Sequence, residues 1–218
     1  MDLYEFGAKI ALIYVPLLFS LCVHEYAHGL VAKWKGDNTA EHQGRLNLNP
    51  LSHADPVGTF ILPLSMLWLS GPVIGWGKPV PVDERNMRNP RVDMFWVAFA
   101  GPLSNIIMAV IGAMATAVAF VYFQGHTYSN AIQAFLMAFI RINLLLAIFN
   151  MLPVHPLDGG KVIARFLPQS INDKLEANMQ MTGIILMFLM LTGMLSFLFK
   201  PIGIVSYFMV TFFQGLIG

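Results

Sequence analysis

The chain alternates between long apolar runs and short polar stretches. The apolar runs cover 7–32, 57–76, 94–123, 131–152, 183–199 and 202–217. A helix needs about 20 apolar residues to cross a hydrocarbon core of about 30 Å. We therefore expect spans at 7–32, where Pro16 introduces a kink, at 94–123 and at 131–152. The last two runs, separated by Lys200-Pro201, leave open whether 183–217 forms two spans or one interrupted element.

The second apolar run differs from the others because glycine and proline break it repeatedly. The breaks are at Gly58, Pro63, Gly71, Pro72 and Gly75. Non-helical backbone is tolerated at membrane depth where it is buried in protein or lines a wet cavity. This pattern favours a re-entrant segment over a span.

The distribution of basic residues sets the expected topology. Lysine and arginine occur in the loops 33–56, 77–93 and 153–182, whereas the turn 124–130 has none. The positive-inside rule places the three basic loops in the cytoplasm, which requires that 57–76 does not cross. The end of the first helix and the segment after residue 152 then meet at one end of the bundle.

One polar loop carries a different periodicity. Residues Arg45–Asn49 alternate polar and apolar side chains, which predicts a short strand. The sequence as a whole predicts an all-α polytopic membrane protein. We expect a single domain over 1–218. This domain is a transmembrane helix bundle with a re-entrant or broken segment and a small membrane-associated β element.

Composition narrows the class of protein. Of the 218 residues, 56% are hydrophobic and 11% are charged, against about 25% charged in globular proteins. A formal net charge of +1 provides no basic field for nucleic acid. Cys22 is the only cysteine, which excludes an internal disulfide and a cysteine-based metal site.

The strongest chemical signal interrupts the first apolar run. His24, Glu25 and His28 form an H-E-x-x-H motif within Leu17–Val31. On a helix, residues four apart lie on one face, so the two imidazoles are placed to bind zinc while the glutamate acts as general base. Ionisable groups at bilayer depth cost about 2.5–3.5 kcal/mol each on insertion scales and are rarely without function.

A catalytic zinc takes three protein ligands, so a third must come from elsewhere in the chain. The candidates at the right depth are His53, Asp55, His155 and Asp158. Asp158 is the best placed, since it follows a span and precedes two glycines that let the backbone turn closely. Spacing alone equally allows Asp158 to cap a helix that begins at Lys161, and His155 stays a reserve ligand.

Two motifs together resemble a known family. HEYAH in a transmembrane helix, followed by Asn150-Met-Leu-Pro-Val-His-Pro-Leu-Asp158-Gly, is similar to the HExxH and NxxPxxxLDG patterns of the site-2 protease family, the intramembrane zinc metalloproteases of peptidase family M50. The resemblance covers the core, about residues 8–165. It implies that His24, His28 and Asp158 bind one zinc ion per chain, that Glu25 activates water and that Asn150 helps to bind or polarise the substrate. The chain resembles the short form, without PDZ or CBS domains.

The resemblance carries expectations about function and partners. It implies a zinc metalloendopeptidase that cleaves transmembrane segments of membrane proteins, in a bacterial inner membrane with the active site toward the cytoplasm. The partners are then a transmembrane substrate protein and the lipid bilayer, and a homo-oligomer stays open. The alternative is a membrane metal-binding or metal-transport protein that uses His24, His28, His53 and Asp158 as a transit site.

The third long run contains a periodic small-residue face. It consists of Ala98, Gly101, Asn105, Ala109 and Gly112, at spacings of three or four residues. Such a face lets helices approach closely. Asn105 is polar within a span, so it either bonds a neighbouring helix or binds a substrate carbonyl.

Overall fold

The computed structural model describes residues 2–71, 73–123 and 125–217. Two residues of the predicted breaks and turns, Pro72 and Gln124, lie outside this description. The protein is an all-α polytopic membrane protein built on four helices long and apolar enough to cross a bilayer. They are α1 (Leu3–Trp34), α3 (Pro90–Tyr122), α4 (Ser129–Asn150) and α8 (Ser196–Ile217). The predicted spans at 7–32, 94–123 and 131–152 are thus confirmed.

Helix α3 is the centre of the bundle, because α1, α4 and α8 all pack against it. The apolar core contains Ala109 and Ala113 of α3, Ile140 and Leu144 of α4, and Val210 of α8. The predicted small-residue face is buried along its whole length. Small side chains here let α1 and α4 approach the α3 backbone closely.

Helix α1 contains one irregular turn. Residues Ile10–Tyr14 are π-helical, and Val15 N–H donates to the carbonyl of Ile10. Pro16 follows at once, in the first turn of the regular helix. A widened turn beside a residue that lacks an N–H is a common way to keep a helix continuous.

The broken apolar run forms α2 (Pro56–Trp68) and an extended return. Its two ends meet, since Lys78 N–H donates to His53 O over 2.8 Å and Trp76 N–H to Gly58 O over 3.0 Å. Its far end lies beside the start of α1, where the Trp68 ring packs 5.2 Å from that of Phe6. The segment therefore enters and leaves at the same depth, as predicted for a re-entrant element.

Close backbone approach explains the glycine at the base of this re-entrant segment. A Cβ on Gly58 would lie 2.3 Å from the Trp76 ring, a distance that no real Cβ contact shows. A larger side chain would force the two limbs of the segment apart.

The predicted strand at Arg45–Asn49 was wrong, because these residues adopt irregular backbone. Asn47 donates through Nδ2 to Gly44 O over 2.6 Å, and its Oδ1 accepts from Asn49 N–H over 2.9 Å. Asparagine side chains that bond nearby backbone compete with a strand ladder. In the described residues the only trace of β structure is one antiparallel bridge between Ala54 and Gly77.

The last two apolar runs are not separated at Lys200-Pro201 in the structure, because both residues lie inside α8. The chain turns earlier, at 192–195, where Gly193 has a φ of 72° that favours glycine. Three shorter helices precede this turn: α5 (Asp158–Ala164), α6 (Gln169–Ala177) and α7 (Met179–Leu191). At 13 residues α7 is too short to cross a bilayer, so the last region contains one span of full length.

Asp37 ties the loop after α1 to the loop before α3. Its carboxylate accepts from Asp83 N–H over 2.8 Å, from Asn86 Nδ2 over 2.9 Å and from the Thr39 backbone N–H over 3.0 Å. Burial would raise the pKa of Asp37, but these hydrogen bonds hold the pKa below its usual value. The folded state is therefore stabilised by the ionised carboxylate.

We expect Asp37→Asn to lower the free energy of unfolding by about 1–3 kcal/mol, because buried donors lose their charged acceptor. Since the pKa of Asp37 is lower in the folded state than its unfolded value of about 3.9, its contribution is complete above that value and is lost as the pH falls through the folded-state value. The unfolding temperature in detergent, measured between pH 3 and pH 7, should therefore fall less steeply with acid in the variant than in the wild type. Asp173→Asn, at an exposed position of α6, is the matched control. It should change neither the free energy of unfolding nor its dependence on pH.

Candidate metal centre

His24 and His28 form the base of the site, on the face of α1 that packs against α3. Both side chains are buried, and their Nε2 atoms lie 3.0 Å apart. The Nδ1 atom of His28 lies 2.7 Å from the carbonyl of Val97 on α3. A carbonyl can only accept, so this Nδ1 carries a proton and Nε2 is the nitrogen that faces the cluster and is available to a metal.

A relay of two amides fixes the tautomer of His24. Asn143 Nδ2 donates to the Phe139 carbonyl over 2.9 Å, which turns its Oδ1 toward Asn105. Asn105 Nδ2 donates to that oxygen over 3.0 Å, which in turn points Asn105 Oδ1 at His24 Nδ1, 2.7 Å away. His24 must therefore donate through Nδ1, which leaves Nε2 as the nitrogen that can bind a metal.

Asp158 completes the cluster from the far side. It is the first residue of α5, and its Oδ2 lies 3.1 Å from His24 Nε2 and 3.3 Å from His28 Nε2. The Asp158 side chain is largely buried, so its carboxylate faces the two rings rather than water. The alternative role as a cap for a helix from Lys161 is not observed, because α5 begins at Asp158 itself.

Two glycines after Asp158 let α5 start against the end of α4. A Cβ on Gly159 would lie 2.3 Å from Leu152 O, and one on Gly160 would lie 2.8 Å from His155 N. Only glycine fits so close to the preceding turn. The sequence argument for a tight turn beside Asp158 is thus supported by the packing.

The donor set fits a zinc ion. Nε2 of each imidazole and a carboxylate oxygen face one another, and Asp158 Oδ2 is buried with no hydrogen-bond donor. When both nitrogens are deprotonated, as metal binding requires, the three atoms repel unless a cation lies between them. Tetrahedral zinc with bonds of about 2.0–2.1 Å separates its ligand atoms by about 3.3–3.4 Å, close to the observed 3.0–3.3 Å.

Glu25 lies beside this cluster without joining it. Its Oε2 accepts from the backbone N–H of Val80 over 2.8 Å. The side chain borders a cavity of about 630 Å³ that also reaches His24, His28, Asp158 and Asn150. One cavity thus lies against both the candidate metal ligands and the Glu25 carboxylate.

Comparison with known proteins places the chain in a family. It is 34% identical over 189 residues to the Bacillus subtilis (strain 168) protein named "Putative zinc metalloprotease YwhC", covering 86% of this chain and 83% of the relative. The model of peptidase family M50 also matches residues 117–193 of the chain. The chain belongs to peptidase family M50. This membership confirms the resemblance to site-2 proteases that the two motifs carry.

Other comparisons with the M50 family agree. The range matched by the family model contains Asn150 and Asp158. The Mycolicibacterium smegmatis protein named "Putative zinc metalloprotease Rip2" is 30% identical over 179 residues, covering 82% of this chain and 66% of the relative. No solved structure gives a significant match.

The accessory residues predicted for this M50 protein divide into two groups. Asn150 borders the cavity, with Nδ2 donating to Leu146 O over 3.0 Å. His53 is buried outside the cluster, where Nε2 lies 2.8 Å from Asn47 O. Asp55 caps the start of α2. Neither His53 nor Asp55 is brought to the metal ligands.

His155 faces a second, smaller cavity. This cavity of about 240 Å³ shares Glu84, Met94 and Lys161 with the first one. Burial lowers the pKa of His155, so the ring is neutral at pH 7. In the described part of the chain, the group that converges as metal ligands is His24, His28 and Asp158, without His155.

Asn105 links His24 of α1 to Asn143 of α4. It is fully buried, and both ends of its amide are engaged by His24 and Asn143. Of the two roles left open for Asn105, the structure shows the bond to neighbouring helices. Its partner Asn143 was missed, although a second asparagine within a span is a recognisable signal.

We expect Asn143→Leu to weaken zinc binding about 10- to 100-fold, because it removes the group that orients Asn105 and through it His24. Competition with a chelator of known affinity would measure the change. Thr116→Val is the matched control, since this buried hydroxyl bonds only the Gly112 carbonyl of its own helix. Unchanged zinc affinity in Asn143→Leu would show that the relay does not set the ring of His24.

Proposed function

We propose that this protein is an intramembrane zinc metalloendopeptidase that cleaves transmembrane segments of membrane proteins. The observation that carries the proposal is the convergence of three potential metal-ligand atoms beside Glu25. Two of the three atoms belong to a helix that is long and apolar enough to cross a bilayer. The names of the M50 relatives, which describe zinc metalloproteases, support the same reaction class.

The residues of the site have separable roles in this reaction. His24, His28 and Asp158 would hold the zinc ion, which supplies Lewis-acid polarisation of the scissile carbonyl and makes water a nucleophile at neutral pH. Glu25 accepts the proton of the attacking water and returns it to the leaving amine. Asn150 lies on the cavity wall and donates one Nδ2 hydrogen to Leu146 O. Its second Nδ2 hydrogen is available to donate to the backbone of a substrate.

The substrate must present an extended stretch to this site. A transmembrane helix satisfies its own backbone, so the scissile bond becomes accessible only where the helix unwinds. The cavity is bordered by the extended residues from Gly75 to Val80, whose backbone lies beside Glu25. Unwound substrate backbone therefore meets polar groups here instead of lipid.

The site would face the cytoplasm of a bacterial cell. The basic loops lie together at one end of the bundle, as Lys35 pairs with Asp93 over 3.3 Å and Arg91 donates to Ala164 O over 3.3 Å. His24 and His28 lie in the half of α1 nearest to these loops. The positive-inside rule then supports the cytoplasmic side of the inner membrane.

A membrane metal transporter is the alternative function. Transport needs a path of ligating or ionisable groups through both halves of the bilayer. In the described ranges, one group of three metal-ligating side chains converges, and the buried polar residues of the spans on its far side are serine, threonine and asparagine. The structure thus favours a catalytic centre over a transit site.

The test is cleavage of single-span membrane peptides by the purified full-length protein in proteoliposomes, with bound metal quantified. We expect cleavage that a chelator abolishes and zinc restores, with about one zinc per chain. The absence of stoichiometric metal in the wild type would overturn the assignment of the site. Metal uptake into proteoliposomes without peptide cleavage would favour the transporter.

A further inference from the structure

We propose that Arg45 and the backbone of Pro79–Val80–Pro81 position the catalytic carboxylate of Glu25. We call Pro79–Pro81 the bracket. This inference rests on the proposed role of Glu25 as general base and assigns residues that orient it. The relevant contacts join the loop after α1 and the return limb of the re-entrant segment to one face of α1.

The bracket contacts α1 at two adjacent points. Val80 N–H donates to Glu25 Oε2 over 2.8 Å. One turn further along, the buried Val80 side chain packs over Gly29, where an added Cβ would lie 3.1 Å from Val80 Cγ1. The packing over Gly29 fixes the height of the Val80 amide above α1.

The sequence of the bracket suits this task. Pro79 and Pro81 have no N–H, so Val80 provides the only backbone donor of the three residues. Each proline ring also fixes its own φ, which stiffens the chain on both sides of that donor. The amide offered to Glu25 is therefore single and held in one direction.

Arg45 holds the other end of the same peptide unit. Its Nη2 lies 2.9 Å from Lys78 O and 3.3 Å from Pro79 O. The Pro79 carbonyl and the Val80 N–H belong to one planar peptide group. A cation at the carbonyl and a carboxylate at the N–H polarise that group in the same direction, which strengthens both contacts.

The bracket leaves the second carboxylate oxygen free for chemistry. Glu25 Oε2 is engaged by Val80, whereas Oε1 lies where a Cβ on Gly77 would be 3.9 Å away, an ordinary contact distance. A carboxylate held by one oxygen keeps the lone pairs of the other for the proton it accepts. Loss of the bracket would let the side chain rotate, and misplacement by about 1 Å can lower a rate about 100-fold.

The first test follows hydrogen exchange of the Val80 amide and needs no catalysis. Val80 N–H is the one exchangeable backbone hydrogen of the bracket. Its exchange, followed in valine-labelled protein, therefore reports on the contact with Glu25. We expect Glu25→Ala and Arg45→Ala each to speed exchange at Val80 at least about tenfold. Glu25→Gln, which keeps an acceptor oxygen, should have a smaller effect. Exchange at Val80 that is unchanged in Glu25→Ala would overturn the proposal.

The second test separates positioning from substrate docking. We expect Arg45→Ala to lower kcat about 10- to 100-fold with KM and bound zinc unchanged, and Arg45→Lys to recover part of the loss. Arg88→Ala, at an exposed position of the neighbouring loop, is the matched control and should behave as wild type. An increase in KM with unchanged kcat would overturn the proposal and show that the segment binds substrate. If the wild type cleaves no peptide, the proposed function fails, and the exchange result still decides whether the bracket holds Glu25.

Discussion

Replacing Glu25 by glutamine should lower peptide cleavage at least about a thousandfold while leaving about one zinc ion per chain. General acid–base groups contribute about 10²- to 10⁴-fold to a rate, and here one group both accepts and returns the proton. Glutamine has the same size as glutamate, and its carbonyl oxygen can still accept from Val80 N–H. Zinc should be retained because the ligand cluster consists of His24, His28 and Asp158.

The measurement pairs cleavage of a single-span peptide with metal analysis of the same preparations. Glu41→Gln is the matched control, since Glu41 is exposed and paired with Lys33 over 2.6 Å. It should cleave at the wild-type rate. Retention of more than about a tenth of the activity in Glu25→Gln would contradict the role of Glu25 as general base. Loss of zinc would show that Glu25 is itself a ligand, and metal transport that survives the change would favour the alternative function.

The parts of this site that were predictable from sequence depend on local geometry. His24, Glu25 and His28 need only a helix to reach their arrangement, and the helical period is visible in the apolar run around them. Asp158 needed more, because its distance from the histidines depends on the packing of α5 beside α3. The family resemblance predicted that Asp158 joins the two histidines. In the structure its Oδ2 lies 3.1 Å from His24 Nε2 and 3.3 Å from His28 Nε2.

The sequence patterns failed at two places: the strand expected at Arg45–Asn49, and the separation of the last two apolar runs at Lys200-Pro201. The alternation at Arg45–Asn49 is a strand pattern, yet Asn47 and Asn49 bond the nearby backbone and replace the ladder with turns. Pro201 suggested a break, but the chain had already turned at Gly193. At Arg45–Asn49, hydrogen bonds from asparagine side chains thus took the place of the strand pairing that the alternation predicted.

Gly101 shows what periodicity cannot reveal. Its place on the small-residue face of α3 predicts close helix packing, which the structure confirms. The neighbour it accommodates is the metal site itself, because a Cβ there would lie 2.5 Å from Nε2 of His28 and 2.6 Å from Cε1 of His24. A glycine that allows two helices to approach and a glycine that supports two ligands have the same spacing in sequence.

Gly101→Ala should therefore weaken zinc binding at least about 100-fold and reduce cleavage in parallel. The added methyl group cannot be relieved by small ring movements, since His24 Nδ1 is held by Asn105 and His28 Nδ1 by Val97. Zinc affinity from chelator competition and the rate of peptide cleavage measure the two effects. Gly203→Ala on α8 is the matched control, because a Cβ there meets nothing within 4 Å.

The thermal stability of metal-free Gly101→Ala shows whether the substitution disturbs the zinc site or unfolds the protein. Alanine is a better helix former than glycine by about 1 kcal/mol, so part of the steric strain in α3 is offset. We expect the metal-free variant to unfold within a few degrees of the metal-free wild type, whereas zinc should stabilise only the wild type. Equal stabilisation of both proteins by zinc would show that the rings can move off the α3 backbone. Unequal stabilisation would show that the α3 backbone at Gly101 is the surface against which both histidines are held.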